Sequence, residues 1–587
     1  MTHRGHLAFT PSAALHPRAP FWHLTGSRNN SNETIMPAAP LPLPAAATVI
    51  SLSAVFCVAA WAWLGASVGM PAAPLAGDSK LDCVSYTPFQ AADSPFDGAH
   101  PIPASLIAAD VARLAPITHC LRTYSAAGHG IEEIAAAAQR LNLKVMQGAW
   151  ISRDGTANAA ELEAAAAIAK AHPGTVTSII AGNEVLLRNE QTPEALVQLI
   201  ERARALSGLP VTYADVWEFW LKNPSIANAV DFITIHILPF WEDEPVAANG
   251  AAQHVASIYA RVAAAFPGKR VIIGEVGWPS AGRMRSVALP SSINQARVLH
   301  DVVSMARQNG ITTNIIEAFD QPWKRKLEGT VGGHWGLLDA DARLPKFSWG
   351  QPVSNHPQWH FQAAASATLA TLVVIVSLII ARKRPAVAPP ITWLDWAYTG
   401  VIASAGSVLA LLSFETLAAG AFGATGIARA LMLGLVALIA PFLAAGVAGG
   451  RRLPGFSEII GPQSLRTRCP LSRAMGIALI LTFLAAIQVA LSLTFDPRYW
   501  EFPFAPLTGG ALAFAVLVCQ WRTESDDLAT PHLAESFGAG VLAAAAAFIA
   551  VNEGLHNWQA VWLSAVLMIL AAVLGRLSMV YGKEPAL

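Results

Sequence analysis

The sequence contains little charge and few cysteines. Only 13% of its 587 residues are charged, whereas 53% are hydrophobic. Basic and acidic residues number 39 each, so the chain lacks the positive excess that nucleic-acid binding requires. We therefore expect no nucleic-acid partner, and the low charge instead indicates a membrane protein.

Motifs for metals, phosphates and nucleotides are also missing. The five cysteines form no CxxC pair and no His/Cys cluster at metal-ligand spacing. The sequence has no Gly-rich phosphate loop and no obvious DxD motif on a predicted cytoplasmic loop. We therefore expect no metal and no cofactor, and a mechanism that uses a nucleotide sugar is disfavoured.

Two cysteines, Cys83 and Cys120, lie near the starts of candidate strands. They could pair if this part of the chain is exported to an oxidising compartment. Two buried free thiols on neighbouring strands explain the same pattern, so the sequence leaves both alternatives open.

Long apolar runs flank a polar central region. The first covers 45–66 and carries no charge, and the C-terminal half contains a series of further runs. A run of about 20 apolar residues is long enough to cross roughly 30 Å of hydrocarbon. The later runs predict a membrane domain of about seven helices over 362–581, at 362–381, 397–419, 427–447, 474–494, 505–520, 537–551 and 560–581.

Basic residues predict the orientation of these spans, because Lys and Arg favour cytoplasmic loops. Arg382, Lys383 and Arg384 follow the second span, and five arginines follow the fourth. The alternate loops, near 420–426, 495–504 and 552–559, contain one Lys or Arg residue in total, Arg498. The pattern predicts a multi-pass membrane protein with both termini in the cytoplasm and the polar region outside.

The N-terminal 44 residues carry no periodic apolar pattern. Met36 directly precedes a Pro/Ala stretch that leads into the first span, so we expect Met36 to be the true start. The first span is expected to be a retained anchor, and a cleaved signal sequence is the alternative because Gly65, Ala66 and Ser67 follow it.

The exported region, 78–352, alternates short β-rich runs with Ala-rich helical stretches. Eight strands are predicted, with helices near 104–115, 131–141, 158–171, 193–206, 250–265 and 292–309. Eight strand-and-helix units in about 270 residues are typical of a (β/α)8 TIM barrel. The fold class predicted for the chain is therefore an α/β barrel joined to an all-α polytopic membrane domain.

Two glutamates end predicted strands. Glu184 follows the fourth strand and Glu275 the seventh, so both carboxylates should lie over the same rim of the barrel. A protonated carboxyl and an ionised carboxylate about 5 Å apart suit retaining glycoside cleavage. A single strand-end glutamate is more often a structural ion-pair or capping residue, but the pair favours catalysis.

These motifs resemble glycoside hydrolase family 17, which contains β-1,3-glucanases and glucanosyltransferases on a retaining (β/α)8 barrel. AGNEV at 181–185 resembles the acid/base motif of the family, and GEVGWPS at 274–280 resembles its nucleophile motif. The resemblance covers about 81–350. It implies that Glu184 is the acid/base, that Glu275 is the nucleophile and that Asn183 binds the sugar 2-hydroxyl.

Further strand-end residues are predicted to contact the substrate. Aromatic rings suit the apolar CH faces of sugars, whereas charged and hydroxyl groups suit their hydroxyls. The sixth strand departs from the plant enzymes, which carry a tyrosine where this chain has His236. The predicted substrate-binding residues are Tyr86, Arg122, Tyr124, Trp217, His236, Trp278, Glu317, Asp320, Trp323 and Lys324.

The order of anchor, barrel and polytopic half resembles the bacterial β-(1→6)-glucan synthase group. This resemblance implies action on β-1,3-linked glucan and formation of β-1,6 linkages in periplasmic glucan. It also implies a location in a bacterial inner membrane, with the barrel in the periplasm. The expected partners are a β-glucan oligosaccharide or polysaccharide, the lipid bilayer and a glucan synthase. The alternatives are an endo-1,3-β-glucanase that only hydrolyses and a non-catalytic glucan-binding or transport protein.

Overall fold

The computed structural model describes residues 43–75, 79–90, 93–96, 98, 101–383, 390–446, 453–460, 470–495, 498–520 and 533–581. The expected start at Met36 lies outside these ranges. The same is true of the arginines at 384, 451, 452, 466 and 468 that support the orientation prediction.

Eight parallel strands close into a barrel in chain order, and β1 pairs with β8 to complete it. All eight predicted strands are present, which confirms the predicted fold class. Their bounds are β1 Cys83–Ser85, β2 Cys120–Arg122, β3 Lys144–Ala149, β4 Val176–Asn183, β5 Val211–Val216, β6 Ile233–His236, β7 Val271–Val276 and β8 Thr313–Ile315.

Helices surround the strands and bury their apolar faces against them. The six predicted helices agree with the structure within about three residues at each end. The helices of the barrel and of the segment before it are α1 Leu43–Leu64, α2 Ala104–Leu114, α3 Glu132–Arg140, α4 Gly155–Ala171, α5 Pro193–Ser207, α6 Trp217–Lys222, α7 Ala251–Ala265, α8 Ser292–Gln308 and α9 Arg325–Glu328.

Helix α5 illustrates how local sequence sets these bounds. The Thr192 hydroxyl accepts a hydrogen bond from a backbone N–H of the first turn, and Pro193 supplies a backbone angle suited to the helix start. Leu196 and Ile200 lie four residues apart and are buried against the strands. Gly208 ends the helix at φ 69°, a left-handed conformation that favours glycine.

Two connections differ from a regular barrel. After β5 the chain forms only the six-residue α6 and a 3₁₀ turn at Pro224–Asn228. After β8 it forms 3₁₀ turns and the four-residue α9, in place of a full outer helix. Segments this short do not complete the periodic apolar pattern by which a helix is recognised in a sequence.

A disulfide joins Cys83 to Cys120 across the neighbouring strands β1 and β2. The structure therefore selects the paired alternative over two free thiols. Leu81 and Thr118 pair just before these strands, so the bond lies at the end of the barrel opposite the one where the catalytic glutamates are expected.

The C-terminal half is entirely helical in the described residues. Within these residues, seven helices of the chain, including α1, are long and apolar enough to cross a membrane. The helices of this half are α10 Trp359–Arg382, α11 Trp393–Gly420, α12 Gly423–Ala444, α13 Phe456–Ile460, α14 Pro470–Phe495, α15 Phe504–Gln520, α16 Leu533–Glu553 and α17 Trp558–Tyr581.

The span expected at 505–520 is present as α15, which has 17 residues and is shorter than the other long helices of this half. At 1.5 Å per residue it extends roughly 26 Å, slightly less than the hydrocarbon thickness. The ends of α14 and α16 both lie beside the barrel, as described below, so the chain must return to the far side between them. Helix α15 provides that return.

The barrel contacts the helices through loops at one end of the bundle. Arg283 pairs with Glu553 at 2.6 Å, and the same arginine donates to the Trp500 carbonyl at 3.3 Å. His334 lies 3.5 Å from the Ala419 carbonyl. These contacts involve the C-terminal turn of α11, the loop after α14 and the last residue of α16. They adjoin the three loops in which the sequence shows few basic residues.

The barrel is also tied to the bundle by its own two connections. Val68 and Val353 form an antiparallel bridge with backbone bonds of 2.8 and 3.0 Å. Helices α1 and α10 extend side by side from this bridge, and Ser354 donates to the Gly65 carbonyl at 2.8 Å. The barrel is thus inserted between two adjacent apolar helices.

Candidate active site

The end of β4 brings Glu184 to the rim of the barrel. Its backbone N–H donates to the Ala214 carbonyl at 2.7 Å, and its φ of 52° is left-handed. Such a conformation costs a residue with a side chain about 1–2 kcal/mol and often marks a functional position. The side chain remains 23% exposed and can therefore reach a ligand in the mouth.

Glu275 lies opposite on β7 and is 5% exposed. One oxygen from each of Glu184 and Glu275 and one ring nitrogen of His236 lie within 4.8 Å of one another. This separation is close to the roughly 5–5.5 Å of retaining glycosidases and below the roughly 6.5–9.5 Å of inverting ones. The structure thus brings together the two glutamates selected from the sequence.

His236, at the end of β6, bridges the two carboxylates. Its Nδ1 lies 3.0 Å from Glu184 Oε1, and its Nε2 lies 3.7 Å from Glu275 Oε1. Gly274 makes room for this ring, since a Cβ there would lie 2.3 Å from Thr234 Cγ2 and 3.2 Å from His236 Cδ2. The residue that departs from the plant pattern therefore contacts both catalytic candidates.

Arg122 and Tyr124 support Glu275 from the second strand. The Arg122 guanidinium contacts Glu275 Oε1 and Asn183 Oδ1, and it is 1% exposed. The Tyr124 hydroxyl lies 2.9 Å from Glu275 Oε1 and 3.0 Å from Ser85 Oγ. One arginine thus fixes both the nucleophile candidate and the neighbour of the acid/base candidate.

These neighbours control the ionisation of Glu275. Burial favours the neutral acid, but the charges of His236 and Arg122 and the Arg122 hydrogen bond outweigh it and lower its pKa to about 2. Glu275 is consequently a carboxylate at neutral pH, as a nucleophile must be.

A second charged pair lies beyond β8. Lys324 Nζ donates to Glu317 Oε1 at 2.8 Å, whereas Glu317 Oε2 has no partner among the described residues. Burial raises the pKa of Glu317 to about 7, although Lys324 favours its ionised form. The charge of Lys324 lowers the pKa of Glu275, and the charge of Glu275 raises the pKa of Glu317, so both groups lie within electrostatic range of Glu275.

Three residues that were predicted to contact the substrate bind other protein groups instead. The Tyr86 hydroxyl donates to Asp110 on α2 at 3.1 Å, so the ring faces the outer helices. Trp278 is 0% exposed and donates to the Leu289 carbonyl. Asp320 accepts from Lys346 at 2.6 Å and from the Gly336 N–H at 2.8 Å. We leave these three out of the proposed site.

Two predicted tryptophans lie at the periphery of the cluster. Trp217 directs its Nε1 to Glu242 at 3.3 Å, and the Arg261 guanidinium stacks 4.9 Å from its ring. Trp323 packs edge-on against Phe96 at 5.8 Å and remains partly exposed. Of the two rings, that of Trp323 is the more accessible to a substrate.

Several residues near the glutamates were not selected from the sequence. Asn314 Nδ2 donates to Ser85 Oγ and to the Gly274 carbonyl, and thereby holds β1 and β7 in place. Burial raises the pKa of Asp215 to about 6, and the Glu184 charge adds to this rise. Glu328 lies close enough to both glutamates to interact with them electrostatically. Strand alternation would have indicated Ser85 and Asn314, whereas Glu328 lies on an unpredicted helix.

The group formed by Glu184, His236 and Glu275 has distances that could hold a metal ion. Glu275, however, is already paired with the Arg122 guanidinium, whose positive charge disfavours a cation at the same oxygen. The three side chains are therefore better explained by the ion pair of Glu275 with Arg122 than by a bound metal ion.

Comparison with known families agrees with this geometry. Residues 83–336 match the family described as the BtgE/BtgC glycoside hydrolase domain. A glucan 1,3-beta-glucosidase of Arthroderma benhamiae is 29% identical over 251 residues, which cover 39% of this chain and 79% of that protein. A probable family 17 glucosidase of Saccharomyces cerevisiae is 31% identical over 169 residues, which cover 28% of this chain and 43% of that protein.

Among solved structures, a beta-1,3-glucanosyltransferase mutant of Rhizomucor miehei in complex with laminaritriose is similar at 29% identity and a TM-score of 0.41. The similarity covers 46% of this chain and 97% of that one. All three similarities concern less than half of the chain. Through its barrel, the chain is therefore similar to glycoside hydrolases, among them a probable family 17 glucosidase.

Proposed function

We propose that the chain is a membrane-bound retaining enzyme that acts on β-1,3-linked glucan, with Glu275 as nucleophile and Glu184 as acid/base. The observation that carries the proposal is the separation of their oxygens, within 4.8 Å, with His236 between them. This arrangement allows one carboxylate to attack a sugar while the other protonates the leaving oxygen.

The first step follows from the charges around each glutamate. Ionised Glu275, held by Arg122 and Tyr124, attacks the anomeric carbon and forms a glucosyl ester. Glu184 gives its proton to the departing oxygen, and its 23% exposure leaves it accessible to that oxygen. Asn183, Glu317, Lys324 and Trp323 are proposed to hold the sugar, and His236 to orient both carboxylates.

In the second step an acceptor O–H replaces the ester. The acceptor oxygen bonds to the anomeric carbon, the bond to Glu275 breaks and the proton returns to Glu184. We propose that the acceptor is a glucan hydroxyl and that the new bond is a β-1,6 linkage. Helices contact the loops after β7 and β8 on one side of the mouth, and exclusion of water there would favour transfer over hydrolysis.

We further propose that the helical half lies in a bacterial inner membrane, with the barrel in the periplasm and both termini in the cytoplasm. Support comes from the contacts of the barrel with loops that contain few basic residues, and from the return provided by α15. The bilayer and a glucan synthase docked to the helical half are the proposed partners, beside the β-glucan substrate.

Chemical rescue tests the two catalytic roles. With an aryl β-glucan oligosaccharide as donor, Glu184→Ala should lower kcat about 10²–10⁴-fold, and Glu275→Ala should lower it at least as much. Azide should restore turnover in both variants. The product should be an α-glycosyl azide for Glu275→Ala, because azide attacks from the vacated side, and a β-glycosyl azide for Glu184→Ala.

Glu163→Ala is the matched control, because this glutamate has a 62% exposed side chain and should leave turnover unchanged. Linkage analysis of the wild-type products then separates the alternatives. If all products are shorter than the donor, the protein is an endo-acting hydrolase and not a transglycosidase. If the protein binds glucan but turns over no β-glucan, it is a binding or transport protein and not an enzyme.

A further inference from the structure

A large cavity lies between the barrel and the helical bundle. Its volume is about 1700 Å³, whereas pockets for single small ligands usually measure about 300–1,000 Å³. Barrel loops form its roof at Ser280–Gly282 and Arg325–Thr330, and helices α1, α11, α12, α14, α15 and α17 form its walls. Glu184 and Glu275 are not among its lining residues, so the cavity is distinct from the catalytic cluster.

The floor of the cavity is apolar and lies deep in the bundle. Along α11 the lining extends from Gly420, beside the barrel, to Ala405. Fifteen residues of helix correspond to about 22 Å, so the floor lies at hydrocarbon depth if these helices span a bilayer. Leu409, Leu433 and Leu512 are typical of the floor, which suits a hydrocarbon chain.

The upper part of the cavity carries polar atoms without partners. Among the described residues, Arg325 Nε, Arg429 Nε, Gln488 Oε1 and Glu501 Oε1 are buried atoms that make no hydrogen bond. Two of these atoms donate and two accept. A sugar hydroxyl can satisfy both kinds, whereas an ionised phosphate group only accepts and would leave the oxygens of Gln488 and Glu501 without a donor.

Aromatic rings accompany these polar atoms. Trp500 lies under the Arg429 guanidinium at 4.8 Å, and Trp558 and Trp562 line the same upper level. Rings beside hydrogen-bonding groups suit the CH faces and hydroxyls of a sugar. Trp is also enriched where hydrocarbon meets water, which is the level at which a lipid head group lies.

We propose that this cavity binds a glycolipid, with the sugar head group against Arg429, Gln488, Glu501 and Trp500 and the lipid chains against the apolar floor. The inference rests on the proposed function for the membrane placement of the helices and for the choice of a glucosyl head group. Arg325 and Lys326 line the roof and directly follow Lys324, which lies beside Glu317. The bound sugar therefore lies one loop away from the catalytic mouth.

Lipid titration tests the proposal. The full chain is placed in phosphatidylcholine nanodiscs that contain increasing mole fractions of β-glucosyl-diacylglycerol, and Tm is measured at each composition, since a ligand that binds the native state raises Tm. Diacylglycerol and phosphatidylglycerol with the same chains are the comparison lipids. We expect half-saturation by the glucosyl lipid at a mole fraction at least tenfold lower than for either comparison lipid.

A pair of matched variants locates the site. Gln488→Met removes the unpaired amide oxygen and should raise the half-saturating mole fraction about fivefold, the effect of one lost hydrogen bond. Gln362→Met makes the same change at another buried, unpaired amide oxygen outside the cavity and should leave half-saturation unchanged. Each shift is measured from the Tm of the variant itself, so a less stable variant remains informative.

Three outcomes would overturn the inference. If phosphatidylglycerol half-saturates the protein at the same mole fraction as the glucosyl lipid, the cavity binds lipids without recognising a sugar head group. Competition by laminaritriose at similar occupancy would assign the cavity to soluble glucan. Unchanged binding in Gln488→Met would place the lipid elsewhere. Glu275→Gln should abolish turnover and retain lipid binding, so loss of the catalytic proposal and loss of the cavity proposal give different results.

Discussion

Arg122 contacts three residues of the candidate site, Glu275, Asn183 and His236, and its side chain is only 1% exposed. A buried guanidinium is stable only when its charge is compensated, and Glu275 provides that compensation. The arrangement makes Arg122 a positioning residue that also sets the charge of the nucleophile. Its removal should therefore change the pH dependence of catalysis as well as its rate.

Replacement of Arg122 by methionine should raise the pKa of Glu275 from about 2 towards its ordinary value of 4.5. The acidic limb of the kcat/KM profile should then move to higher pH by at least one unit, with a loss of kcat/KM at neutral pH. Arg113→Met, at a half-exposed arginine, is the control. An unchanged acidic limb in Arg122→Met would contradict the assigned role.

The same pKa shift predicts a change in stability with acid. Because folding lowers the pKa of Glu275, its stabilising contribution is complete above about pH 4.5 and is lost as the pH falls towards 2. The free energy of unfolding of wild type should decrease over this range. Glu275→Gln should show a smaller decrease, measured by denaturant unfolding at each pH.

Sequence patterns selected Glu184 and Glu275, the proposed catalytic pair, because each glutamate ends a strand within a specific motif. They also suggested Tyr86 and Trp278, whose motifs are equally clear. The choice failed there because a motif does not show which way a side chain points. Tyr86 turns outward to Asp110, and Trp278 is buried with a backbone partner, and these partners are distant in the sequence.

At the scale of elements, the disulfide is the one covalent cross-link between strands in the described part of the chain, and the other strands are joined by hydrogen bonds and apolar packing. It closes a loop of 37 residues between Cys83 and Cys120. A cross-link of this span stabilises chiefly by restricting the unfolded chain, by about 4 kcal/mol in the entropic description.

Loss of this bond should lower the free energy of unfolding of the barrel by about 2–4 kcal/mol. The double variant Cys83→Ser/Cys120→Ser and the reduced wild type should both show a lower Tm by calorimetry. Cys519→Ser, at an exposed free thiol, should leave Tm unchanged. Equal Tm values for the reduced and oxidised protein would exclude a stabilising role for the bond.

Elements with full periodic patterns were predicted well, since buried strands and amphipathic helices depend on local alternation. The short α6 and α9 were missed because four to six residues carry too little pattern. Helix α15 was predicted as an ordinary span, yet it has 17 residues. Its role as a return became evident only from the barrel contacts of its neighbours.

For the whole molecule, the contacts of the barrel divide the connecting segments between two sides. Segments after α11, α14 and α16 touch the barrel, and α13 lies between helices that begin or end at the opposite side. Leu555 and Ile460 represent the two sides and are similarly exposed, at 79% and 75%. They provide a matched pair for a test of orientation.

With Cys57 and Cys519 replaced by serine, Leu555→Cys should react with a membrane-impermeant thiol reagent in intact cells that have a permeable outer layer. Ile460→Cys should react only after the inner membrane is opened. The difference follows from the opposite sides assigned to the two positions, and labelling is measured by mass shift. Reaction of both cysteines in intact cells would contradict the proposed topology.

The fixed attachment of the barrel constrains the direction in which a polymer can travel. The loops after β7 and β8 contact the bundle, so the helices flank one sector of the rim. We expect a strand of glucose units to enter across the sectors of β2 to β5 and to end where it meets the helices. Such a blind-ended groove would act on chain termini and would measure length from the surface of the bilayer.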